Sequence, residues 1–261
     1  MNPRPAFSGR GRRLPGAVLS HALLATGAVV MLLPFAWMAV TSLRPPAEIL
    51  SGSLNPFPRS WHAAENYGAA LTTAPLLRFM LNGVIVCLGI LVVQLLVAIP
   101  AAYALAKVRF PGRGLLFGLV VAGLCVPIQA PALPLYLGLA HANLLDSYVA
   151  LMVPFFLSVF AVFLFRQTFK SFPDEIIQAA RVDGLREGEI LWRIVVPAAW
   201  PAITAFSIFS VVAHWNDLYW PLIVIQRLDY ATPPLGMLFF VGSESGTNYG
   251  FVQGITMTGI K

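Results

Sequence analysis

Long stretches without a charged residue alternate with short polar connections along the chain. The uncharged, mainly apolar runs cover residues 22–40, 79–106, 114–143, 147–165 and 197–214, and the last continues through 218–225. A helix of about 20 apolar residues, rising about 1.5 Å per residue, crosses the roughly 30 Å hydrocarbon core of a bilayer. The pattern therefore predicts five complete membrane-spanning helices.

Both ends of the chain need separate interpretation. A final apolar run begins near Gly250 and reaches Lys261 after about a dozen residues, which as a helix would rise only about 18 Å. We expect a sixth span that is truncated in this sequence. The basic residues 1–15 precede a run longer than the apolar core of a signal peptide, without a clear cleavage site, and predict a tail before a retained span. Residues 16–261 are interpreted as one transmembrane domain.

Composition places the chain in a membrane. Hydrophobic residues make up 58% of it, charged residues only 11%, and the mean hydropathy is +0.76, all far from the averages of soluble domains. Cys87 and Cys125 lie singly in apolar runs, so neither a local disulfide framework nor a zinc site is predicted.

The net charge of +6 could suggest a nucleic-acid partner, but the positions of the basic residues favour a topological signal instead. Residues 1–15 carry four Lys or Arg, residues 107–113 three and residues 166–196 five. The alternate connections contain only Arg44, Arg59, Arg78 and Arg227. Because cytoplasmic loops are enriched in basic residues, we expect a cytoplasmic N-terminus and a cytoplasmic 166–196 segment.

Residues 171–197 have the pattern of a short helical hairpin. Ser171-Phe-Pro-Asp predicts a helix start, and Asp183-Gly184 predicts a left-handed stop. Apolar stripes are expected on both helices, from Ile176, Ile177 and Ala180 and then from Ile190, Leu191, Ile194 and Val195. Pro197 is expected to end the hairpin and open the next span. Periodicity alone leaves two interpretations open, a loop lying on the lipid surface and a surface that another protein binds.

The order and spacing of Ala179-Ala180, Asp183-Gly184, Ile194 and Pro197 resemble the signature loop of ABC importer permeases. Two positions depart from the family pattern, because Gln178 replaces its usual glutamate and Val196 its leucine. Further similar pieces are residues 41–49 with Pro34-Phe35, Glu65-Asn66-Tyr67, Arg109-Phe-Pro-Gly-Arg113 and Trp215-Asn-Asp-Leu-Tyr-Trp-Pro-Leu-Ile223. The chain is most similar to the second permease subunit of the maltose and glycerol-phosphate type, in the carbohydrate-uptake branch.

The resemblance implies an all-α polytopic bundle in the bacterial cytoplasmic (inner) membrane, which works in a larger complex. Its expected partners are membrane lipid, a homologous second permease subunit, two cytoplasmic ATP-binding subunits and an extracytoplasmic solute-binding protein. ATP and Mg would bind to the ATP-binding subunits, and no cofactor is expected on this chain, which contains no Gly-x-x-x-x-Gly-Lys-Ser/Thr loop. The transported solute would be a sugar or sugar-like compound. The residues expected to dock the ATPase are Gln178, Ala179, Ala180, Asp183, Gly184, Ile194 and Pro197.

Polar groups and irregular backbone inside a span are costly against lipid, so they mark candidate positions in a solute path. Three prolines and Gln129 within residues 127–134 predict an interrupted third span, as a packing kink or as a cavity lining. Asn82 and Gln94 could equally form interhelical hydrogen bonds, and the group beside His214 could brace a helix end. The candidate pathway residues are Asn82, Gln129, Pro131, Trp215, Asn216 and Asp217.

Two other classes of protein are weighed against the importer subunit. A secondary transporter or channel would work without an ATPase, and so would need no cytoplasmic docking hairpin. An intramembrane enzyme would need a reactive constellation, yet the four histidines are scattered, with no His-Glu-x-x-His and no serine elbow. We therefore expect no catalytic residues and no metal ligands in this chain.

Overall fold

The computed structural model describes residues 14–244 apart from 46–47, 50–54, 56, 58, 74 and 128, and its regular secondary structure there is entirely helical. The chain divides into two compact units, residues 1–74 and residues 75–261. The predicted tail lies almost wholly outside the described residues, and so does the predicted sixth span from Gly250. The all-α fold class is confirmed.

The first unit contains a long apolar helix and a short helix fixed to its end. Helix α1 spans Leu14–Ser42, and α2 spans Ala63–Thr73. The Asn66 side chain donates hydrogen bonds to the Ser42 and Arg44 carbonyl oxygens at 2.9 and 2.7 Å. The first bond satisfies a carbonyl that the end of α1 leaves without an intrahelical partner, and the second holds the segment that follows the helix.

The second unit is organised around one long helix, α3, to which several others pack. Helix α3 spans 32 residues, Leu76–Lys107, and makes its most extensive contacts with α7 and α10. The helices that follow are α4 (Arg113–Leu124), α5 (Ala132–His141), α6 (Tyr148–Phe155), α7 (Val159–Lys170), α8 (Asp174–Val182), α9 (Glu187–Ala198), α10 (Trp200–Trp215), α11 (Tyr219–Val224) and α12 (Pro233–Glu244).

Several predicted spans are interrupted helices. In the described part of the chain, two continuous helices are long and apolar enough to cross a membrane, Ala17–Ser42 and Leu76–Lys107. The pairs α6–α7 and α9–α10 are bent by 43° and 78°, and counting each pair as one span raises the number to four. The third predicted span is divided into α4 and α5 around Pro127 and Pro131, as the prolines predicted. The prediction of five complete spans stays a prediction.

Candidate functional site

The segment from α8 to α9 forms the predicted hairpin, and its turn depends on Gly184. This residue has φ +86°, and the Gly184 and Leu185 amides donate to the Arg181 and Ala180 carbonyl oxygens at 3.1 and 3.0 Å. That pair of hydrogen bonds is the Schellman arrangement, which needs a left-handed residue directly after the helix. The glycine stop predicted from Asp183-Gly184 is confirmed.

Both outer ends of the hairpin differ from the prediction. The Ser171 hydroxyl donates to the Thr168 carbonyl at 2.7 Å, so it closes the end of α7 and does not cap α8. Helix α8 begins at Asp174 after Pro173. Pro197 lies within α9, and the next helix begins only at Trp200, beyond the 78° bend. Within α9, Leu191–Val195 forms a π-helical turn and Val196–Ala198 a short α-helical segment of its own. Pro197 lies in the first turn of that last segment, where its missing N–H needs no intrahelical partner.

The apolar face of the hairpin packs against its own chain. Ile177 on α8 and Ile190 and Val195 on α9 are at most 2% exposed, in one core with Phe165 and Phe169 of α7. This packing covers Ile177 but not Ile176, which is 45% exposed although the sequence places it on the same stripe. Ala180 is 6% exposed within that core and so does not lie on the exposed face of the hairpin; its docking role stays a prediction. Ile194 is half-buried against the same core.

The outer face of the hairpin is available for contact. Gln178, Ala179, Asp183 and Gly184 are exposed there, as is Pro197 on α9. Val182, at the C-terminal end of α8, is 87% exposed. Sequence reasoning missed this residue, although its position off the stripe of Ile177 and Ala180 is a usable signal for an apolar side chain that faces outward.

Polar contacts tie the hairpin to the end of α3. The buried Lys107 ammonium contacts the Asp174 carboxylate at 2.5 Å and the Phe172 carbonyl at 2.6 Å. The hydrogen bond from Lys107 holds the pKa of Asp174 below its ordinary value.

Glu187 forms a second connection between the two arms of the hairpin and α3. It accepts hydrogen bonds from Tyr103 Oη and Arg181 Nε, both at 2.7 Å. The bond between Arg181 and Glu187 raises the pKa of Arg181 and lowers the pKa of Glu187. Together with the apolar core, these contacts make the hairpin part of the helical bundle.

A separate cavity of about 570 Å³ lies where several helices are interrupted. Its lining includes the breaks between α4 and α5 and between α6 and α7, together with the end of α10. Of the predicted pathway residues, the structure brings together Gln129, Pro131 and Asp217 here.

Three predicted pathway residues do not line this cavity. Asn82 is buried, where its amide donates to the Asp229 and Ala231 carbonyls and its side-chain oxygen accepts from Tyr148 Oη at 2.6 Å. It is therefore one of the interhelical hydrogen-bonding residues that the sequence left as an alternative.

The other two residues lie at the end of α10. The Trp215 ring lies against Gly83, within 3.1 Å of the position that a Cβ atom there would occupy. The Asn216 amide donates back to the Val212 carbonyl at 2.7 Å. Both positions fit the helix-bracing alternative.

Other polar residues of the cavity were not selected from the sequence. Gln94 lines it while donating to the Phe155 carbonyl at 2.8 Å and accepting from Ser210 Oγ at 2.7 Å. His214 and Ser158 also line it. A polar residue in an otherwise apolar span was the available signal, but it marks structural and cavity-lining residues alike.

The second unit is a bundle of interrupted apolar helices around a mainly apolar cavity with a few polar groups, an architecture used by membrane transport subunits. Residues 94–259 match the family described as the binding-protein-dependent transport system inner membrane component. The chain belongs to this family, whose members are transport permeases and not enzymes.

Two curated relatives are similar over most of their length. The diacetylchitobiose uptake system permease protein NgcG of Streptomyces coelicolor is 31% identical, over 87% of this chain and 76% of its own. The sn-glycerol-3-phosphate transport system permease protein UgpE of Escherichia coli K12 is 29% identical, over 88% of this chain and 84% of its own. This chain is likewise the transmembrane permease component of an ABC importer.

The fold is similar to that of a chain in the crystal structure of a bacterial ABC transporter involved in the import of the acidic polysaccharide alginate. The TM-score is 0.75 at 24% sequence identity, with 90% of this chain and 82% of that chain covered. At this level of identity the likeness supports the fold and not the solute.

Proposed function

We propose that this permease subunit couples to a separate ATP-binding subunit through the outer face of the α8–α9 hairpin. The contacting residues are Gln178, Ala179, Val182, Asp183 and Gly184. ATP and Mg bind to the partner, and this chain contributes helices that move when the partner changes shape. A homologous second permease subunit, a second ATP-binding subunit and an extracytoplasmic solute-binding protein complete the importer.

The two-sided construction of the hairpin is the observation that carries this proposal. Its inner face is held by the core around Phe165 and by the contacts of Lys107 and Glu187, while its tip presents an apolar side chain, Val182, to the outside. A firmly held element transmits force as a rigid body, and an exposed apolar tip supplies area that a partner can bury. Gln178 contributes an amide where the family pattern has a carboxylate.

For the solute and the location, the proposal follows the relatives. NgcG is named for diacetylchitobiose and UgpE for sn-glycerol 3-phosphate. We infer a sugar or sugar-like solute, and a place in the bacterial inner membrane with the N-terminus and the hairpin on the cytoplasmic side. The twelve basic residues in the predicted cytoplasmic segments, against four in the alternate connections, support that orientation.

A pair of cysteine variants tests the docking surface in the complete transporter. Exposed Cys125 is replaced by alanine, and Cys87 remains because it is 3% exposed. We expect Val182→Cys to form a crosslink with a cysteine in a surface groove of the ATP-binding subunit. Ala180→Cys is the matched control, and we expect no crosslink from it because that side chain lies in the core.

The result that contradicts the proposal is equally specific. If Val182→Cys forms no crosslink while the transporter imports its solute at the normal rate, the hairpin is not the docking element. If ATP-independent uptake persists without any ATP-binding subunit, the chain works as a secondary transporter or channel instead.

A further inference from the structure

Several helices of the bundle are interrupted, and their ends lie at the cavity beside α10. Its lining takes residues from both sides of the α4–α5 break, from the α6–α7 break at Ser158 and from the end of α10 at Asp217. Interrupted backbone at membrane depth is tolerated where it faces protein or a water-filled space, because lipid cannot satisfy the freed polar groups. The three helix ends at this cavity therefore have backbone that must face protein or water.

The size and composition of the lining suit a small organic solute. A volume of about 570 Å³ lies within the roughly 300–1,000 Å³ typical of ligand pockets. The lining includes the hydrogen-bonding groups of Gln129, His214 and Asp217 and the aromatic side chains of Phe155, Phe160, Tyr219 and Trp220. Flat apolar faces beside a few polar groups match a sugar ring, which has C–H faces and a rim of hydroxyl groups.

The polar groups of the cavity suit a neutral solute with hydroxyl groups better than an anionic solute. Among the described residues that line it, none is Lys or Arg, and Asp217 is the one carboxylate. His214 Nδ1 is engaged with the Ser210 carbonyl at 2.7 Å, so its other ring nitrogen is free to accept from a hydroxyl. The N-terminus of α7, which could attract an anion, is already capped by Ser158 Oγ, 3.1 Å from the Ala161 amide.

We propose that this cavity is a solute subsite of the permease subunit, and that it admits an uncharged polyhydroxylated solute while its Asp217 carboxylate disfavours phosphorylated or carboxylated ones. This inference depends on the proposed role of the chain as part of the translocation path and adds the class of solute. The Asp217 Oδ1 atom accepts from the Trp220 amide at 3.4 Å, its carboxylate has capacity for further hydrogen bonds from solute hydroxyls, and Gln129 donates and accepts. An anion would meet a like charge with no cation from this lining to offset it.

Cysteine labelling in the complete transporter, held in nanodiscs so that both faces are accessible, tests the electrostatics without transport. Ala213→Cys places the thiol in the cavity wall, and Ala142→Cys places it on an exposed position after α5, outside the lining. Both carry Cys125→Ala. The probes are two water-soluble methanethiosulfonates, one with a trimethylammonium group and one with a sulfonate group.

We expect the cationic reagent to be favoured at Ala213→Cys over Ala142→Cys by roughly five- to tenfold, because a carboxylate several ångströms away attracts one reagent and repels the other. Adding Asp217→Asn should return the ratio to that of the control position. Equal rates, an anion preference or a ratio that ignores Asp217→Asn would overturn the proposal. So would failure of either reagent to label Ala213→Cys while Ala142→Cys reacts, since lipid or the second permease subunit then fills the space.

The solute class is tested by protection of the same thiol. We expect diacetylchitobiose, which is neutral, to slow labelling at Ala213→Cys, and sn-glycerol 3-phosphate to leave it unchanged. If sn-glycerol 3-phosphate slows labelling, or if neither compound does, the assignment of an uncharged solute is overturned. Labelling does not depend on the hairpin, so its outcome stays distinct from a failed crosslink at Val182, which would count against the proposed coupling alone.

Discussion

Gly184 is the residue that sets the angle between the two arms of the hairpin. Its φ of +86° lies in the left-handed region, and a Cβ atom there would meet nothing within 4 Å. The constraint is therefore conformational and not steric crowding by neighbours. A side chain that is branched at Cβ is especially unfavourable in this backbone conformation.

We expect Gly184→Val to distort the turn at a cost of about 1–2 kcal/mol, while insertion into the membrane is kept because no spanning helix changes. Solute uptake and solute-stimulated ATP hydrolysis should both fall in the complete transporter. Gly188→Val is the matched control, since Gly188 also has open space around it but lies in α9 without a positive φ. Normal uptake with Gly184→Val, or an equal loss with Gly188→Val, would contradict this explanation.

At the scale of single residues, the sequence identifies backbone requirements better than side-chain environments. Asp183-Gly184 predicted the turn because few residues tolerate a left-handed conformation. The periodicity of Ile177 and Ala180 predicted an apolar stripe, but it could not say whether lipid, a partner or the same chain covers that stripe. Ala180 is buried because α7 packs near it. The angle between α7 and α8 is set by their connection, and hydrophobic periodicity does not predict it.

At the scale of elements, α8 is held to α3 by an asymmetric ion pair. The side chain of Lys107 is 5% exposed and that of Asp174 is 70% exposed. Water can rehydrate the carboxylate if its partner is removed, but it cannot reach the ammonium as easily. Removing one member of such a pair is most damaging when the member that remains is buried.

We expect Asp174→Asn to lower the melting temperature of the purified transporter more than Lys107→Met does, because only the first leaves a buried ammonium without its counter-charge. The melting temperatures of the two variants should be compared at neutral pH, by a thermal-shift measurement on the complete complex. If Lys107→Met is the more damaging change, the bond from Lys107 to the Phe172 carbonyl matters more than the ion pair.

The ion pair also makes an acid-dependent contribution to stability. Lys107 lowers the pKa of Asp174 below 3.8, its ordinary value. A lowered carboxyl pKa stabilises the folded state above the unfolded pKa, and this contribution is lost as pH falls through the folded value. The difference between the wild-type chain and Asp174→Asn should therefore be constant near neutral pH and shrink below about pH 4.

Interrupted elements were predicted where the sequence contains a strong local signal and missed where it does not. Prolines at 127, 131 and 134 indicated the α4–α5 break. The bend between α6 and α7 has no comparable signal beyond Pro154, and it was missed because residues 147–165 form one uncharged run. Breaks of this kind are stabilised by neighbouring helices, through bonds such as that from Gln94 to the Phe155 carbonyl.

At the scale of the whole molecule, the distribution of basic residues predicts which connections share a side of the membrane. Ser171 is exposed in a segment rich in Lys and Arg and is not among the proposed docking residues, and Ala142 lies in a connection without Lys or Arg. In intact cells carrying Cys125→Ala, we expect a membrane-impermeant maleimide to label Ala142→Cys and to label Ser171→Cys only after the membrane is opened. Labelling of both from outside would require the orientation and the spans to be redrawn.

The fold class and the family motifs were readable because hydropathy and short motifs are local properties. The assembly of the cavity was not, since Gln129, Ser158 and Asp217 are brought together by three separate helix breaks. Asn82 looked equally suitable as a pathway residue until Tyr148 and the carbonyls after α11 were found around it. Only tertiary structure separates a polar group that binds helices together from one that lines a cavity.

Helix α10 connects the hairpin to the cavity, so a change in its tilt at one end moves its other end. It begins beyond the 78° bend that follows the hairpin and ends at Trp215, next to the cavity residue His214. Its 16 residues make a lever arm of roughly 24 Å. A tilt of about 10° at the hairpin end would displace the cavity end by about 4 Å, more than the width of a hydroxyl group. A modest rotation at the hairpin is therefore sufficient to widen or constrict the cavity.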